Sequence, residues 1–567
     1  MMRTSKFVVL ALVLLGVIAG ALVWQLGTPK DLTYPKAVAQ LDRLLKRVSW
    51  SESTVTRTGV VTVVTMAKPE LHETLPDISK YELVVNPPIT SNEVAVEIFA
   101  SVEKAGKGFD GWMVEIANDF NRSNLRLRNG YIAKVKIRTI ASGEAYQFIA
   151  ARKYLPDAYS PSHALWLQML TARGVPLIPI TERLLGNTAG IVMKERVQRT
   201  LQEKYGTVSV RQVIDAVTQG SMAMGYPDPF VSSTGLNFLV TVLATFAQGD
   251  ASRMLADDVV SAFTAFQRGV PFVALTTLQM SDSAQRDGSL EAFVMERAIF
   301  AKTPMFQSGY AFIPFGIRHD SPLYGIGALP AEKHEALQQF AQFASQAPAQ
   351  KLATEYGFEQ LSDYTPAVVP PPGEVLIEAQ RVWKHKKDAG RPIVAVFLGD
   401  VSGSMEGVPL RNLKRALLVG SHFIDPENSI GLVVFNQEVK QLLSVGKFTL
   451  NQRALFTAAV QDMSAGGGTA MYDGILVALK MLVAAKAKQP ECKPLLIVLT
   501  DGETNTGLSF DKVKPVLAGV KIPIYTIGYN AKLDILRQIS AINEAASLNA
   551  DEGDIASKIG ALLNAEM

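Results

Sequence analysis

From Phe7 to Trp24 the chain carries 18 residues without a charge or a strongly polar side chain. As a helix at 1.5 Å per residue, such a run covers about 27 Å, close to the ~30 Å hydrocarbon core of a bilayer. Arg3 and Lys6 precede it, which by the positive-inside rule leaves the N-terminus in the cytoplasm and everything after Gly27 outside. A charged start and an apolar stretch also open cleaved secretory signals. An uncleaved anchor is favoured here, because the run exceeds the usual ~7–15-residue apolar core of a signal and Ala19-Gly20-Ala21 is followed by more apolar residues. No cysteine lies nearby, so a lipoprotein anchor is excluded. On either reading the body is extracytoplasmic, and the expected location is a cell membrane crossed once.

Past this segment the pattern divides the chain. Residues 28–79 form a juxtamembrane stretch, with a helix expected at Ala37–Val48 that places Leu41, Leu44 and Leu45 on one face. Residues 80–365 alternate short apolar runs with amphipathic helices. Expected strands include Tyr81–Val85, Val135–Ile140, Val175–Pro179, Gly190–Lys194, Ser221–Gly225, Phe272–Thr276 and Tyr310–Ile317. That alternation predicts α/β layers around mainly parallel sheets. A break at Pro366 and Pro370-Pro371-Pro372, followed by a helix at Glu374–Lys387, makes 366–390 a linker. In 391–567 the runs Ile393–Leu398, Ile430–Phe435, Leu495–Leu499 and Ile522–Ile527 alternate with helices. They predict a doubly wound sheet with its ligands beyond the strand carboxyl ends.

Composition narrows the function classes. With 567 residues, 48% hydrophobic and 19% charged, the chain holds several packed domains and is not mainly disordered. A net charge of +3 is too balanced for a dedicated nucleic-acid binder. The single cysteine, Cys492, excludes a disulfide framework and a thiolate zinc cluster, and the six scattered histidines form no short metal-binding spacing. No second run is long enough to span a membrane, so any transport role needs partner subunits.

Chemistry concentrates near the C-terminus. Asp400 and Asp501 fall at strand carboxyl ends, and Thr469 lies in the glycine-rich loop 465–470. With Ser402 and Ser404 they offer carboxylate and hydroxyl oxygens only, a set suited to a hard cation such as Mg²⁺. No Gly-Lys-Ser/Thr follows the glycines, which removes a Walker-type nucleotide loop. Taken alone, Asp-x-Ser-x-Ser is an ordinary capping turn. Together, Asp400-Val401-Ser402-Gly403-Ser404, Gly468-Thr469 and Thr500-Asp501-Gly502 resemble the von Willebrand factor A domain over about 170 residues. The resemblance implies a Rossmann-like fold with a metal-ion-dependent adhesion site. In that family the serines and the threonine bind metal directly, one or both aspartates act through water, and a protein partner's carboxylate completes the shell. Mg²⁺, Mn²⁺ or Ca²⁺ is the implied cofactor. Gly399 stands where the family often has a larger apolar residue.

The middle region has a looser resemblance. The helix pair Ala331–Phe358, with Phe340 and Phe343 and the closing Tyr356-Gly357-Phe358, resembles the end of bacterial extracellular solute-binding proteins. Pro156–Ser162 resembles that family's strand-to-cleft loop, and Gly190–Lys194 the strand entering its second lobe. This implies two α/β lobes that close on a small solute. Ser232, Ser233 and Thr234 open an apolar helix, where hydroxyls and free N–H groups favour an anion. The alternative is plain helix capping. Ser142 and Ser160 follow expected strands and are further cleft candidates.

Two functional readings follow. One is a membrane-anchored periplasmic binding protein that captures a small solute, an anion if the serine loop holds it, and docks a protein partner through its metal site. The other is an adhesion or assembly factor whose solute-binding fold is ligand-free. With no Gly-x-Ser-x-Gly and no histidine placed beside a nucleophile, the chain does not read as an enzyme.

Overall fold

The computed structural model describes residues 32–52, 75–106, 111–270, 272–274, 280, 290–366, 368–502, 504–529, 531, 533–543, 545, 547–551 and 553–567. The Phe7–Trp24 run lies outside them, and among the described residues no helix is long and apolar enough to cross a membrane.

The middle region has two lobes, each built on its own sheet. The first sheet runs in the order Leu83–Val85, Ile132–Thr139, Glu93–Ala100, Ala158–Ser160, Leu323–Ile326, Leu177–Thr181. The second runs Tyr310–His319, Asn187–Lys194, Ala292–Glu296, Met224–Pro227, Phe272–Ala274. Both are mixed, which corrects the expectation of mainly parallel sheets. Ile132–Thr139, Glu93–Ala100 and Ala158–Ser160 are parallel, but the strands bordering the two passages between lobes pair antiparallel. The members of each of these pairs lie far apart in the chain, with several helices and strands between them, so the local alternation of runs could not show that they run in opposite directions. The strand Glu93–Ala100 was not expected because Glu93 and Glu97 interrupt its apolar run. Cations of the neighbouring strand neutralise both, with Lys134 3.5 Å from Glu93 and Arg138 2.7 Å from Glu97.

The 366–390 segment is more than a spacer. Its helix, Gly373–Lys386, buries Leu376, Ala379 and Trp383 in the apolar cluster that spans both lobes. Its first turn packs so closely on the first-lobe helix Leu165–Ala172 that a Cβ on Gly373 would meet the Gln168 carbonyl. Further along, Gln380 donates to the Pro229 carbonyl at 2.7 Å and Trp383 Nε1 donates to the Tyr226 hydroxyl at 2.7 Å, both on the second lobe. The helix therefore straps the lobes together. Lys384, near its end, donates to the carbonyl oxygens of Leu563 and Asn564 at 3.2 and 2.5 Å, on the last helix of the chain. Beyond it Asp388 lies between Lys387 at 2.6 Å and Lys493 at 3.2 Å. Burial pushes the Asp388 carboxyl up, but the two lysines outweigh it and hold it down at about 2.

The C-terminal sheet has seven strands: Trp50–Glu52, Val439–Lys447, Ser429–Phe435, Ile393–Asp400, Lys493–Thr500, Ile524–Tyr529, Ser547–Ala550. Ser429–Phe435 and Val439–Lys447 form its antiparallel pair, and the other neighbours are parallel. Val408–Gly420, Leu450–Asp462 and Ile555–Glu566 cover one face; Met471–Lys488, Phe510–Val520 and Leu533–Ala541 cover the other. Residues 34–52, set apart by sequence as juxtamembrane, build into this domain. The helix Tyr34–Leu45 buries Ala37, Leu41, Leu44 and Leu45 against the second face, and Trp50–Glu52 adds a parallel edge strand beside Val439–Gln441.

Candidate functional site

Ile393–Asp400 is buried along its whole length, so it delivers Asp400 to the carboxyl edge of the sheet with no exposed surface. One Asp400 oxygen accepts the Ser402 N–H at 2.8 Å and the other accepts the Thr500 hydroxyl at 2.5 Å. The Ser402 and Ser404 hydroxyls lie 3.1 Å apart, and Ser404 donates to Asp501 at 2.9 Å. The loop bearing Thr469 is tied to the serine loop by Gly403 N–H to the Gly467 carbonyl and Gly466 N–H to the Val401 carbonyl, both 2.9 Å. Gly467 has φ +83°, and a Cβ there would collide with the Gln437 amide, which itself accepts the Gly468 N–H at 2.8 Å. Glycine is required on both counts.

All five candidate residues thus share one carboxyl-end corner. Burial pushes the Asp400 carboxyl up, aided by the charge of Asp501, and burial pushes Asp501 up as well. A buried carboxylate, Asp400, and a half-buried one, Asp501, beside three hydroxyls form a set that a hard cation would neutralise. Among the described residues no group of three or more His, Cys, Asp or Glu side chains could hold a metal, so hydroxyl oxygens are needed to complete any shell here. Sequence reasoning missed the supports. Asn436 donates to the Gly466 carbonyl and Asn505 accepts the Thr469 N–H, each at 2.8 Å. The available signal was an amide pair, Asn436-Gln437, just past a strand end.

A second polar centre lies between the lobes. Ser142, Ser160, Ser232, Ser233 and Thr234 are all buried there, and the protein itself engages most of their hydroxyls. Ser232 caps its helix through Gly235 N–H at 3.3 Å. Ser233 accepts Trp166 Nε1 at 2.9 Å, Thr234 donates to Glu296 at 3.2 Å, and Ser142 accepts Ser162 N–H at 3.3 Å. The Ser160 hydroxyl is buried without a hydrogen-bond partner. Contacts across the lobes are direct. Gly143 N–H donates to the Val231 carbonyl at 3.0 Å, and His163 Nε2 lies 2.7 Å from the Ser233 carbonyl.

Charged groups that the sequence did not point to converge on this centre. Lys104 donates to the Ser101 hydroxyl at 2.7 Å and the Ser160 carbonyl at 2.8 Å. Burial pulls its ammonium down to about 7. Glu296 accepts from Thr234, Asn187 (2.8 Å) and His319 Nδ1 (2.8 Å). Burial raises its carboxyl to about 7, and the Thr234 and Asn187 bonds oppose that rise. Asn237 donates to His319 Nε2 at 3.0 Å, which keeps the proton on Nδ1, and burial lowers the imidazole to about 4. Glu103 accepts from Ser162 at 3.1 Å. Glu103 and Lys104 follow Glu93–Ala100 and Glu296 closes Ala292–Glu296, two strands the sequence pattern did not mark, whereas His319 closes the strand expected at Tyr310–Ile317.

The bacterial extracellular solute-binding protein family matches residues 104–359, and the von Willebrand factor type A domain family matches residues 395–558. The inter-alpha-trypsin inhibitor heavy chain H1 of Mesocricetus auratus is 32% identical over 150 residues, covering 24% of this chain and 16% of that protein. The chain spans less than a fifth of the length of such relatives. Among solved structures, the sulfate-binding protein SubI from Mycobacterium tuberculosis H37Rv shares 16% identity over 51% of this chain and 97% of its own, with a TM-score of 0.34. The von Willebrand factor type A structure from Catenulispora acidiphila shares 19% over 31% of this chain and 42% of its own, with a TM-score of 0.28. The domain types support a binding or adhesion role, and the chain combines a bacterial extracellular solute-binding region, residues 104–359, with a C-terminal von Willebrand factor type A domain, residues 395–558.

Proposed function

We propose that the chain is an extracytoplasmic binding protein, held in the inner membrane by residues 7–24, that docks a protein partner through a divalent cation in its C-terminal domain. The observation that carries the reading is the oxygen-only corner of Asp400, Ser402, Ser404, Thr469 and Asp501, whose two carboxyls burial pushes up. Ser402, Ser404 and Thr469 would hold Mg²⁺, Mn²⁺ or Ca²⁺, with the two aspartates supplying the charge a hard cation requires. The cation would supply a Lewis-acid contact for a partner's carboxylate. No step in this reading breaks a bond, and both domain types belong to binding or adhesion families.

In this reading the middle region captures a small solute between its lobes, where the Ser160 hydroxyl and Lys104 supply polar groups for an anion. A specific observation favours a second reading, a ligand-free assembly role. The Ser232, Ser233 and Thr234 hydroxyls are already engaged by the protein, and the lobes touch directly at Gly143 and Val231. Titration calorimetry of the full chain in detergent tests the metal. Wild type should bind Mg²⁺ or Mn²⁺ and Asp400→Ala should not. Equal affinity in both proteins sinks the assignment. Partner capture that persists in EDTA removes the docking role even if metal binds.

A further inference from the structure

The helix Tyr34–Leu45 is laid over two others, Met471–Lys488 and Phe510–Val520, on one face of the C-terminal sheet. Its apolar side is buried, and its outward side carries Lys36 and Arg43, followed by Lys46 and Arg47 just past its end, all exposed. Six more lysines come from the two underlying helices and their ends. Over residues 34–47, 471–488 and 510–521 that makes ten cations against three carboxylates, whereas the whole chain is nearly balanced at +3. Of those carboxylates, Asp42 pairs with Lys480 at 2.6 Å and Asp473 turns inward to accept the Leu508 N–H at 2.9 Å. Two aromatic rings, Tyr34 and Trp50, stand 38% exposed at the two ends of the 34–52 segment.

Position gives this charge a partner. Only residues 25–33 separate the apolar run from Tyr34, and nine residues reach at most about 30 Å. A domain tethered that closely presents the face carrying the tether to the membrane. Lysine and arginine clusters next to a membrane span attract anionic headgroups, and tyrosine and tryptophan favour the interface.

We propose that this basic face of the C-terminal domain lies on the anionic headgroups of the bilayer that holds the N-terminus. The inference rests on residues 7–24 being an anchor. The domain is then held flat against the membrane, and its orientation is set by charge as well as by the tether.

The test uses the full chain in lipid nanodiscs, one set of phosphatidylcholine alone and one enriched in phosphatidylglycerol. Exposed amines are acylated and the modified lysines identified by peptide mass spectrometry. Lys36 and Lys46 should react about fivefold more slowly in the anionic disc, the factor for one cation held near such a surface. Lys351, exposed on the first lobe, should react equally in both. Molar salt should erase the difference, because it screens charges beyond ~3 Å. The double reversal Lys46→Glu, Arg47→Glu changes two exposed side chains and should abolish the difference at Lys36. Equal labelling of Lys36 in the two discs at low salt overturns the proposal. Protein that leaves both discs refutes the anchor instead, and the same labelling against free phosphatidylglycerol vesicles then decides the face by itself.

Discussion

Glu296 offers a sharp test of the interlobe centre. Its side chain is 1% exposed and accepts three hydrogen bonds, from Thr234, Asn187 and His319. Burial nevertheless raises its carboxyl to about 7, from an ordinary 4.5. The sign follows from linkage. Between the two values the folded protein holds a proton that the unfolded chain has released, so this group's contribution to stability falls as pH rises. At about 1.4 kcal/mol per pH unit, that difference removes roughly 3 kcal/mol between pH 4.5 and 7. Glutamine at this position cannot titrate. It also turns a donor toward the Asn187 amide, whose oxygen is already taken by Thr188 N–H and Ala298 N–H, a mismatch costing about 1–3 kcal/mol at all pH values. Glu296→Gln should therefore be less stable than wild type near pH 4.5 and should overtake or match it near pH 7.5. His319, lowered to about 4, is mainly neutral across this window and titrates only at its acid edge. The assay is urea unfolding from pH 4.5 to 8 followed by tryptophan fluorescence, because Trp112, Trp166 and Trp383 are fully buried in the middle region. Taking the difference between variant and wild type cancels carboxylates remote from this centre, whereas Glu103 and Lys104 feel the Glu296 charge and their smaller shifts enter the difference. A difference that is flat with pH, or that slopes the other way, refutes a raised Glu296 carboxyl and with it the desolvated character of the centre.

Two further outcomes are expected. A Cβ on Gly143 would sit 2.6 Å from the Val231 Cα and closer still to the Phe230 carbonyl. Gly143→Ala should therefore wedge the lobes apart, detected as faster hydrogen exchange at 228–235 and a larger radius of gyration; unchanged exchange there would mean the lobes do not close on this contact. Leu41 is fully buried between the N-terminal helix and the C-terminal domain, so Leu41→Ala should cost about 2–5 kcal/mol and lower the unfolding midpoint of that domain, whereas an unaffected midpoint would make residues 34–52 a separate segment.

Much of the C-terminal domain was legible because its strands are buried on both faces and read as unbroken apolar runs, with Asp400 and Asp501 at their ends. A residue's place past a strand end follows from local pattern, so the amino-acid order is enough to gather these five residues. The interlobe serines were legible for the same reason: each sits at a helix start or a strand end. Local pattern could not say what faces them. Lys104, Glu296 and His319 come from segments far apart in sequence, and only the closing of the two lobes turns them into one buried network. The strand Glu93–Ala100 stayed hidden because its glutamates read as solvent-facing until Lys134 and Arg138 are brought beside them. The clearest tertiary decision concerns residues 34–52. Their amphipathic pattern predicts a helix with one apolar face, but a face alone does not choose its partner. Packing chose a domain more than 340 residues further along the chain, because the groove beside Met471–Lys488 and Phe510–Val520 buries Ala37, Leu41, Leu44 and Leu45 together, and sequence distance costs little once the intervening region folds on its own.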